Sequence, residues 1–179
     1  MRHLKASFPS TALLCVPGVV AAGVEEPPRL ILQITVDVLR GDLPERYARL
    51  FGDGGFRYLR EQGVHYTKAH YQHANTETIV GHVSLATGSV LAAHGMVGNV
   101  WYDRETGQLA YNIEDPDHHL LTAGADVDRN AEIDPTQKAA KVGGRSSASI
   151  LSSTFSDELA VHYGGRSKIF GVSVKDRGA

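Results

Sequence analysis

The feature that most constrains the fold is an almost uninterrupted apolar run over residues 30–36, Leu-Ile-Leu-Gln-Ile-Thr-Val. A short run of this kind is typical of a strand that is buried on both faces, as in parallel sheets. Residues 168–174 form a second run of the same type, and residues 64–71 form a third candidate strand. Helical segments separate these runs. Strands that alternate with helices predict an α/β fold with a mainly parallel sheet flanked by helices.

Four segments carry helical patterns that end at glycine or at other helix-breaking residues. They are residues 43–51, 56–62, 78–87 and 149–163. A hairpin is predicted where residues 100–102 and 109–112 flank the turn sequence Arg-Glu-Thr-Gly. Residues 113–144 are polar and irregular, and we expect them to leave the core as an excursion.

Residues 1–22 have the pattern of a secretory signal peptide. Arg2 and Lys5 supply its positive charge, an apolar run follows, and Ala22 provides a small residue for cleavage. The run is too short to span a bilayer, which needs about 20 apolar residues. A short buried helix is the alternative, and Pro17 disfavours it. We therefore expect a periplasmic or secreted protein that has no stable membrane insertion after cleavage, with residues 23–179 as the mature domain.

Composition excludes several classes of protein. The formal net charge is -2, whereas a dedicated nucleic-acid binder usually has a strong basic excess, so no nucleic-acid partner is expected. Cys15 is the only cysteine, which excludes an internal disulfide framework and a cysteine-rich zinc finger.

Three polar positions lie at the boundaries of predicted elements. Asp37 follows the first strand, where an acid suits a metal ion, although an Asx turn or a helix cap would use it equally well. Thr78 begins a helix, where a hydroxyl can act as a cap or can lie at an anion site. Strand alternation places Lys175 and Arg177 on one face, opposite Asp176. Two adjacent cations can hold a phosphoryl group, and an exposed charged turn is the alternative.

The ordered set of motifs resembles the phosphate-irrepressible bacterial alkaline phosphatases of the alkaline phosphatase superfamily, to which the nucleotide pyrophosphatase/phosphodiesterases are related. The motifs are Val36-Asp37, Gly54-Gly55-Phe56, Thr78 with Gly81-His82, Thr87-Gly88-Ser89, His94-Gly95 with Gly98-Asn99, Trp101-Tyr102, Gly171-Val172-Ser173 and Lys175-Asp176-Arg177-Gly178-Ala179. The resemblance covers residues 30–179. It implies an alkaline-phosphatase-like fold.

The resemblance also implies roles for five residues. Asp37 would bind one zinc of a two-zinc centre, and Thr78 would be the nucleophile, would bridge toward both metals and would become a phosphothreonine. Asn99 would donate its amide to a phosphoryl oxygen, and Lys175 and Arg177 would contact the phosphate. The implied activity is the hydrolysis of small-molecule phosphate monoesters. Zinc follows from the family, since oxygen and nitrogen ligands also accept manganese or cobalt.

The resemblance is to the N-terminal portion of the family only. A two-metal centre needs several carboxylates and imidazoles, and the family supplies most of them after the Lys-Asp-Arg motif. We therefore expect an incomplete domain that lacks its C-terminal part and is inactive alone. Within the chain, His82 is expected to pack structurally, and the acid- and histidine-rich residues 115–119 are expected to form a solvated loop rather than a local metal site.

Three other functions remain open. A phosphodiesterase or nucleotide pyrophosphatase is the first, but a doubly charged monoester gains more than a diester from the Lys175–Arg177 pair, which related diesterases generally lack. The second is a non-catalytic exported protein that binds phosphate, and the third is a nonfunctional remnant.

Overall fold

The computed structural model describes residues 27–121 and 130–178. The chain divides into two compact units, Met1–Ile34 and Thr35–Ala179. The described part of the first unit, residues 27–34, contains no helix or strand. The predicted signal peptide, residues 1–22, lies outside the described residues. All of the helices and strands below belong to the second unit.

Five short helices lie in the described residues: α1 Leu43–Arg46, α2 Phe56–Gln62, α3 Thr78–Thr87, α4 Leu91–His94 and α5 Phe155–His162. Three 3₁₀ turns accompany them, at Ala48–Leu50, Gln137–Ala139 and Asp176–Gly178. The predicted bounds of α2 and α3 are confirmed, whereas residues 43–51 break into α1 and a 3₁₀ turn, and residues 149–163 are helical only over α5. Across the described ranges, no helix combines the length and apolar character that a bilayer crossing requires.

The ends of α3 and α5 show why these segments are helical. Gly88 ends α3 in the left-handed conformation, at φ 64°, where a side chain would be strained. At the start of α5, Thr154 and Asp157 form a reciprocal capping box, in which each side chain accepts the backbone N–H of the other. Both signals are local in sequence, so the segments that carry them were predictable.

The predicted hairpin is confirmed as an antiparallel pair, β1 Val100–Asp103 and β2 Gln108–Tyr111. Val100 pairs with Tyr111 at the open end. In the turn, the Asp103 carboxylate accepts hydrogen bonds from the Glu105 N–H at 2.9 Å and from the Thr106 hydroxyl at 2.7 Å. Gly107, at φ 68°, supplies the left-handed residue that lets the chain reverse.

A small core forms between α3 and the hairpin. Its buried apolar members are Ile79, Val80, Val83, Met96, Tyr111, Ile113 and Ala140. Trp101 packs against this cluster, as expected of a hairpin residue, whereas Tyr102 is exposed. The core therefore links the helix that begins at Thr78 to the strand that carries Tyr111.

The predicted mainly parallel sheet is absent from the described residues, whose one sheet is the two-stranded antiparallel hairpin. Residues 30–36, 64–71 and 168–174 form no strand, and large apolar residues in each run are exposed, including Leu32, Val64 and Val172. A strand is stable only when neighbouring strands pair with its backbone and other elements cover its faces. No described strand pairs with any of these three runs, so their apolar pattern alone does not produce strands.

Candidate active site

Thr78 and Asp37 lie together, although 41 positions separate them in sequence. The Thr78 hydroxyl donates a hydrogen bond to Asp37 Oδ2 at 3.4 Å. Thr78 is the first residue of α3, and the preceding N-cap residue, Glu77, makes no side-chain capping bond. The Thr78 hydroxyl donates to a carboxylate and does not cap its own helix. The structure therefore does not support the interpretation of Thr78 as a helix cap.

The backbone turns sharply immediately after Asp37. Val38 adopts φ 60° in the left-handed region, which is unfavourable for a β-branched residue, and its side chain is exposed. Its N–H donates to Asp37 Oδ1 at 3.1 Å, while Oδ2 accepts from Thr78. This contact with the next residue fixes the orientation of the carboxylate. It is not the bond to the second following residue that defines an Asx turn, so the described contacts of Asp37 do not include that turn.

Asn99 is held against the first turn of α3 by a two-way exchange of hydrogen bonds. Asn99 Oδ1 accepts the Ile79 N–H at 3.1 Å, which caps the helix from a distant segment. In return, Glu77 Oε2 accepts the Asn99 N–H at 2.6 Å. The asparagine is buried, so this clasp connects the residue before Thr78, the residue after it and the loop that precedes β1.

A second contact fixes the other side of Asn99. The buried Asn112 side chain donates to the Asn99 carbonyl at 2.6 Å, and the Asn112 N–H donates to the same oxygen at 3.3 Å. The Asn99 backbone N–H, carbonyl and side-chain oxygen are thus all engaged. Within the described ranges its amide Nδ2 donates no hydrogen bond, which leaves that group available as a donor.

Lys175 and Arg177 converge on a single carboxylate oxygen. Lys175 Nζ lies 2.9 Å from Asp134 Oδ2, and Arg177 Nη2 lies 2.8 Å from the same atom. Burial would raise the pKa of the Asp134 carboxyl, but the hydrogen bonds that it accepts outweigh burial and hold the pKa below its ordinary value. The predicted pairing of the two cations on one side is therefore present, and a carboxylate lies between them.

The Lys-Asp-Arg motif does not continue a strand, which corrects the predicted alternation. Asp176–Gly178 is a 3₁₀ turn, so Asp176 is not directed away from its neighbours. Its Oδ1 accepts from the Tyr111 hydroxyl at 2.7 Å, and its Oδ2 accepts from Arg145 Nε at 2.7 Å. Burial acts to raise the pKa of Asp176, but these donors lower it. Asp176 thus anchors the motif to β2.

Arg177 is a buried member of this network rather than an exposed charge. Its side chain is only 3 % exposed, compared with 44 % for Lys175. Its Nη1 donates to the Tyr111 hydroxyl at 3.3 Å, while its Nε is buried and has no hydrogen-bond partner among the described residues. Burial acts to lower the pKa of Arg177, and its hydrogen bonds to Asp134 and Tyr111 raise it overall, so the guanidinium stays charged.

The 3₁₀ turn Asp176–Gly178 contacts α3. The helix that begins at Thr78 therefore also packs against the turn that contains Arg177. A side chain added at Gly178 would collide with the Ser173 hydroxyl and would lie 3.9 Å from His82 Nε2. His82 Nδ1 hydrogen-bonds to the Thr78 carbonyl at 2.8 Å, one helical turn back. This hydrogen bond to the backbone of its own helix is compatible with a structural role for His82.

The described residues do not by themselves fit a two-zinc centre. A zinc ion usually has four ligands, and the Asp37–Thr78 pair provides one carboxylate and one hydroxyl. No group of three or more histidine, cysteine, aspartate or glutamate residues suited to a metal ion occurs in residues 27–121 and 130–178. In the loop at 115–119, the Asp115 carboxylate instead accepts from His118 at 2.8 Å and from the Ser146 hydroxyl.

Sequence reasoning missed two residues of this arrangement, Glu77 and Asp134. Glu77 precedes the helix, and its carboxylate accepts from the Asn99 N–H, which lies 22 positions away. Asp134 belongs to the polar segment 113–144, which the sequence predicts to leave the core, although its Ile113 and Ala140 are members of the core. The sole local signal is its Asx turn, in which Oδ1 accepts the Thr136 N–H at 2.9 Å. Neither residue has a pattern that would have identified its partner.

Comparisons with known proteins agree with the motifs. Residues 31–163 match the family described as type I phosphodiesterase / nucleotide pyrophosphatase. Alkaline phosphatase PafA of Elizabethkingia meningoseptica is 33% identical over 151 residues, which are 84% of this chain and 25% of that protein. Alkaline phosphatase PhoV of Synechococcus elongatus is 33% identical over 152 residues, covering 85% of this chain and 25% of that protein.

The fold agrees with the same relatives. A crystal structure of wild-type PafA matches with a TM-score of 0.65 at 33% identity, covering 78% of this chain and 24% of that chain. A PafA variant substituted at a threonine, an asparagine, a lysine and an arginine matches with a TM-score of 0.67 at 30% identity, covering 80% of this chain and 25% of that chain. The chain spans about 25% of the length of these curated relatives. It belongs to the type I phosphodiesterase / nucleotide pyrophosphatase family of the alkaline phosphatase superfamily.

Proposed function

We propose that this chain carries the nucleophile and the phosphate-binding cations of an enzyme that hydrolyses small-molecule phosphate monoesters. One observation carries the proposal: Lys175 Nζ and Arg177 Nη2 both lie within hydrogen-bond distance of one oxyanion oxygen, that of Asp134. A phosphoryl oxygen also carries negative charge, and it accepts hydrogen bonds from the same lysine and arginine donors. The two cations can therefore hold a doubly charged phosphoryl group between them.

The chain's own residues divide the chemical work. Thr78 Oγ1 attacks phosphorus, so that the new Oγ1–P bond replaces the P–O bond to the leaving group and a phosphothreonine forms. The hydroxyl proton of Thr78 is released to solvent, and the leaving oxygen takes up a proton from solvent to become an alcohol. Asp37, which accepts the hydrogen bond from the Thr78 hydroxyl, orients it for attack. The amide Nδ2 of Asn99 donates to a phosphoryl oxygen, since its other polar groups are already engaged. Water then attacks phosphorus, the P–Oγ1 bond breaks as the new P–O bond forms, and Thr78 Oγ1 regains a proton as inorganic phosphate leaves.

Divalent metal, with zinc as the proposed ion, is part of the same proposal. Such an ion supplies charge stabilisation and lowers the pKa of a bound hydroxyl group. Asp37 and Thr78 are two of the oxygen donors required, and the further ligands would have to come from outside the described residues. We therefore propose that the described residues do not support phosphatase turnover by themselves. A periplasmic or secreted location is proposed from the pattern of residues 1–22.

The substituted residues of the PafA variant support these assignments. They are a threonine and an asparagine 21 positions apart, and a lysine and an arginine two positions apart. Thr78 and Asn99 have the same separation in this chain, as do Lys175 and Arg177. The order along the chain is also the same.

A phosphodiesterase is the second candidate, because the matching family is named for diesterase and pyrophosphatase activities. A diester carries one negative charge and a monoester two, so the cation pair favours the monoester. A non-catalytic protein that binds phosphate would use the same cations without Thr78. These candidates differ in substrate charge and in their need for a nucleophile.

The decisive experiment uses PafA in which this chain replaces the matched segment. We expect the chimera to hydrolyse an aryl phosphate faster than the corresponding aryl methyl diester, and we expect Lys175→Ala with Arg177→Ala to remove that preference. Lys138→Ala is the matched control, since Lys138 is exposed. A diester preference that survives the double substitution would favour the second candidate. Phosphate binding without turnover would favour the non-catalytic candidate.

A further inference from the structure

We propose that Asp134 is a built-in competitor for the phosphoryl group: its carboxylate neutralises Lys175 and Arg177 in the ligand-free protein and has to be displaced when phosphate binds. The proposal rests on the proposed function of the two cations. By this proposal, the irregular segment that contains Asp134 tunes the affinity of the site for phosphate.

Asp134 contacts the side chains of Lys175 and Arg177 through only one of its two carboxylate oxygens. Oδ2 accepts from Lys175 at 2.9 Å and from Arg177 at 2.8 Å. Oδ1 accepts instead from the Thr136 N–H at 2.9 Å and from its hydroxyl at 2.6 Å. The carboxylate is thus held by its own turn and presents one oxygen to the two cations.

One carboxylate oxygen leaves Arg177 incompletely satisfied. Nη2 and Nε form one edge of the guanidinium plane, and this edge matches two oxygens of a phosphate. Asp134 occupies Nη2, while Nε is buried with no hydrogen-bond partner in the described part of the chain. A phosphoryl group offers several oxygens and can occupy both donors at once. The unpaired Nε therefore indicates a ligand with more acceptors than Asp134 presents.

Charge determines how strongly Asp134 competes. Lys175 and Arg177 together carry two positive charges, and Asp134 cancels one of them at less than 3 Å. Arg145 lies next in the network, but its charge is paired with Asp176 at 2.7 Å. Substituting Asp134 by asparagine keeps the shape of the side chain and an acceptor oxygen for Thr136, while it removes the competing charge. The site then has a greater net positive charge for a phosphate dianion.

The test measures binding of inorganic phosphate to the whole chain by isothermal titration calorimetry and by NMR of the Arg177 Nε–H, at low ionic strength. We expect Asp134→Asn to bind phosphate roughly tenfold more tightly than the wild type. Asp117→Asn is the matched control, because it makes the same change of charge in an exposed residue of the same segment. Backbone chemical shifts of α3 and of the hairpin verify that each variant is folded.

Each outcome decides the matter. Tighter binding by Asp134→Asn alone supports the proposal. Unchanged or weaker binding overturns it, since Asp134 would then be neutral or would position the cations. If Lys175→Ala abolishes phosphate binding while Asp134→Asn leaves it unchanged, only this inference fails. If Lys175→Ala binds as tightly as the wild type, or if no protein binds phosphate, the proposed role of the cations fails with it. Should Asp134→Asn not fold, Thr136→Ala, which loosens the Asp134 turn, is expected to tighten phosphate binding, and weaker or unchanged binding overturns the inference.

Discussion

The Glu77 carboxylate accepts the backbone N–H of Asn99 at 2.6 Å, and this contact closes a clasp around the first turn of α3. The Asn99 side chain completes the clasp by capping the Ile79 N–H. Thr78, the proposed nucleophile, lies between Glu77, which precedes α3, and Ile79, which is the second residue of that helix. The position of its hydroxyl therefore depends on Glu77, which has no proposed contact with substrate, as well as on Asn99.

Removing the Glu77 acceptor should loosen this turn. We expect Glu77→Ala to lower the free energy of unfolding by about 1–3 kcal/mol, because it leaves the part-buried Asn99 N–H without a partner. Glu77→Gln keeps an acceptor and should lose less. Urea unfolding measures both, with Glu105→Ala, an exposed glutamate in the hairpin turn, as the control. Equal losses for Glu77→Ala and Glu105→Ala would contradict the clasp.

A buried relay predicts that the protein loses stability in mild acid. His94 Nδ1 accepts the Met96 N–H at 3.1 Å, so its proton lies on Nε2, which faces the Ser84 hydroxyl at 3.1 Å. Ser84 in turn contacts His73 Nε2 at 3.0 Å. Burial, and secondarily the charge of His73, lowers the pKa of His94 below its ordinary 6.5. A proton on Nδ1 would also oppose the Met96 N–H.

The sign of the pH effect follows from this lowered pKa. The unfolded chain binds the His94 proton more readily than the folded chain, so stability rises with pH in this range. The contribution is complete above pH 6.5 and is lost as pH falls through the folded-state pKa. We expect the free energy of unfolding to fall between pH 7 and pH 5, measured by urea unfolding. His94→Gln should flatten this slope, and His162→Gln, at an exposed position, should not. A pH-independent wild type would rule out the relay.

Tyr111 should resist ionisation in alkali. Burial, together with the hydrogen bond to Asp176, raises the pKa of its phenol to about 12, despite the opposing effect of Arg177. The folded state then keeps a proton that the unfolded state releases, so stability falls as pH rises above the ordinary value of 10.0. The difference between near-ultraviolet titrations of the wild type and of Tyr111→Phe isolates this group. A difference that titrates near pH 10 would be inconsistent with the network.

Local signals explain which parts of the fold were predictable. Gly88 ends α3 and Gly107 closes the hairpin turn, and each does so by adopting a left-handed backbone conformation. The sequence immediately around each glycine is therefore enough to predict these two features. The apolar runs at 30–36 and 168–174 predict strands because their composition fits a buried sheet. A strand also needs a neighbouring strand with which its backbone can pair, and the described residues contain no such strand beside these runs.

The candidate site was predictable only in part for a related reason. Asp37, Thr78, Asn99, Lys175 and Arg177 were singled out by motif and by resemblance to a family. The motifs carry no information about Asp134, which reaches Lys175 across 41 positions, or about the burial of Arg177. These contacts depend on how the irregular segment folds back onto Lys175 and Arg177. The spacing of apolar and polar residues in the sequence does not predict that path.

The central claim is that the Thr78 hydroxyl receives the phosphoryl group, and trapping that intermediate tests it most directly. The PafA chimera that carries this chain is mixed with an aryl phosphate, quenched in acid within its first turnover, and analysed by peptide mass spectrometry. We predict a phosphate on Thr78, its absence in Thr78→Ala together with the loss of turnover, and a phosphoserine in Thr78→Ser. Turnover by Thr78→Ala at the rate of the unsubstituted chimera, with no phosphate on Thr78, would contradict the claim.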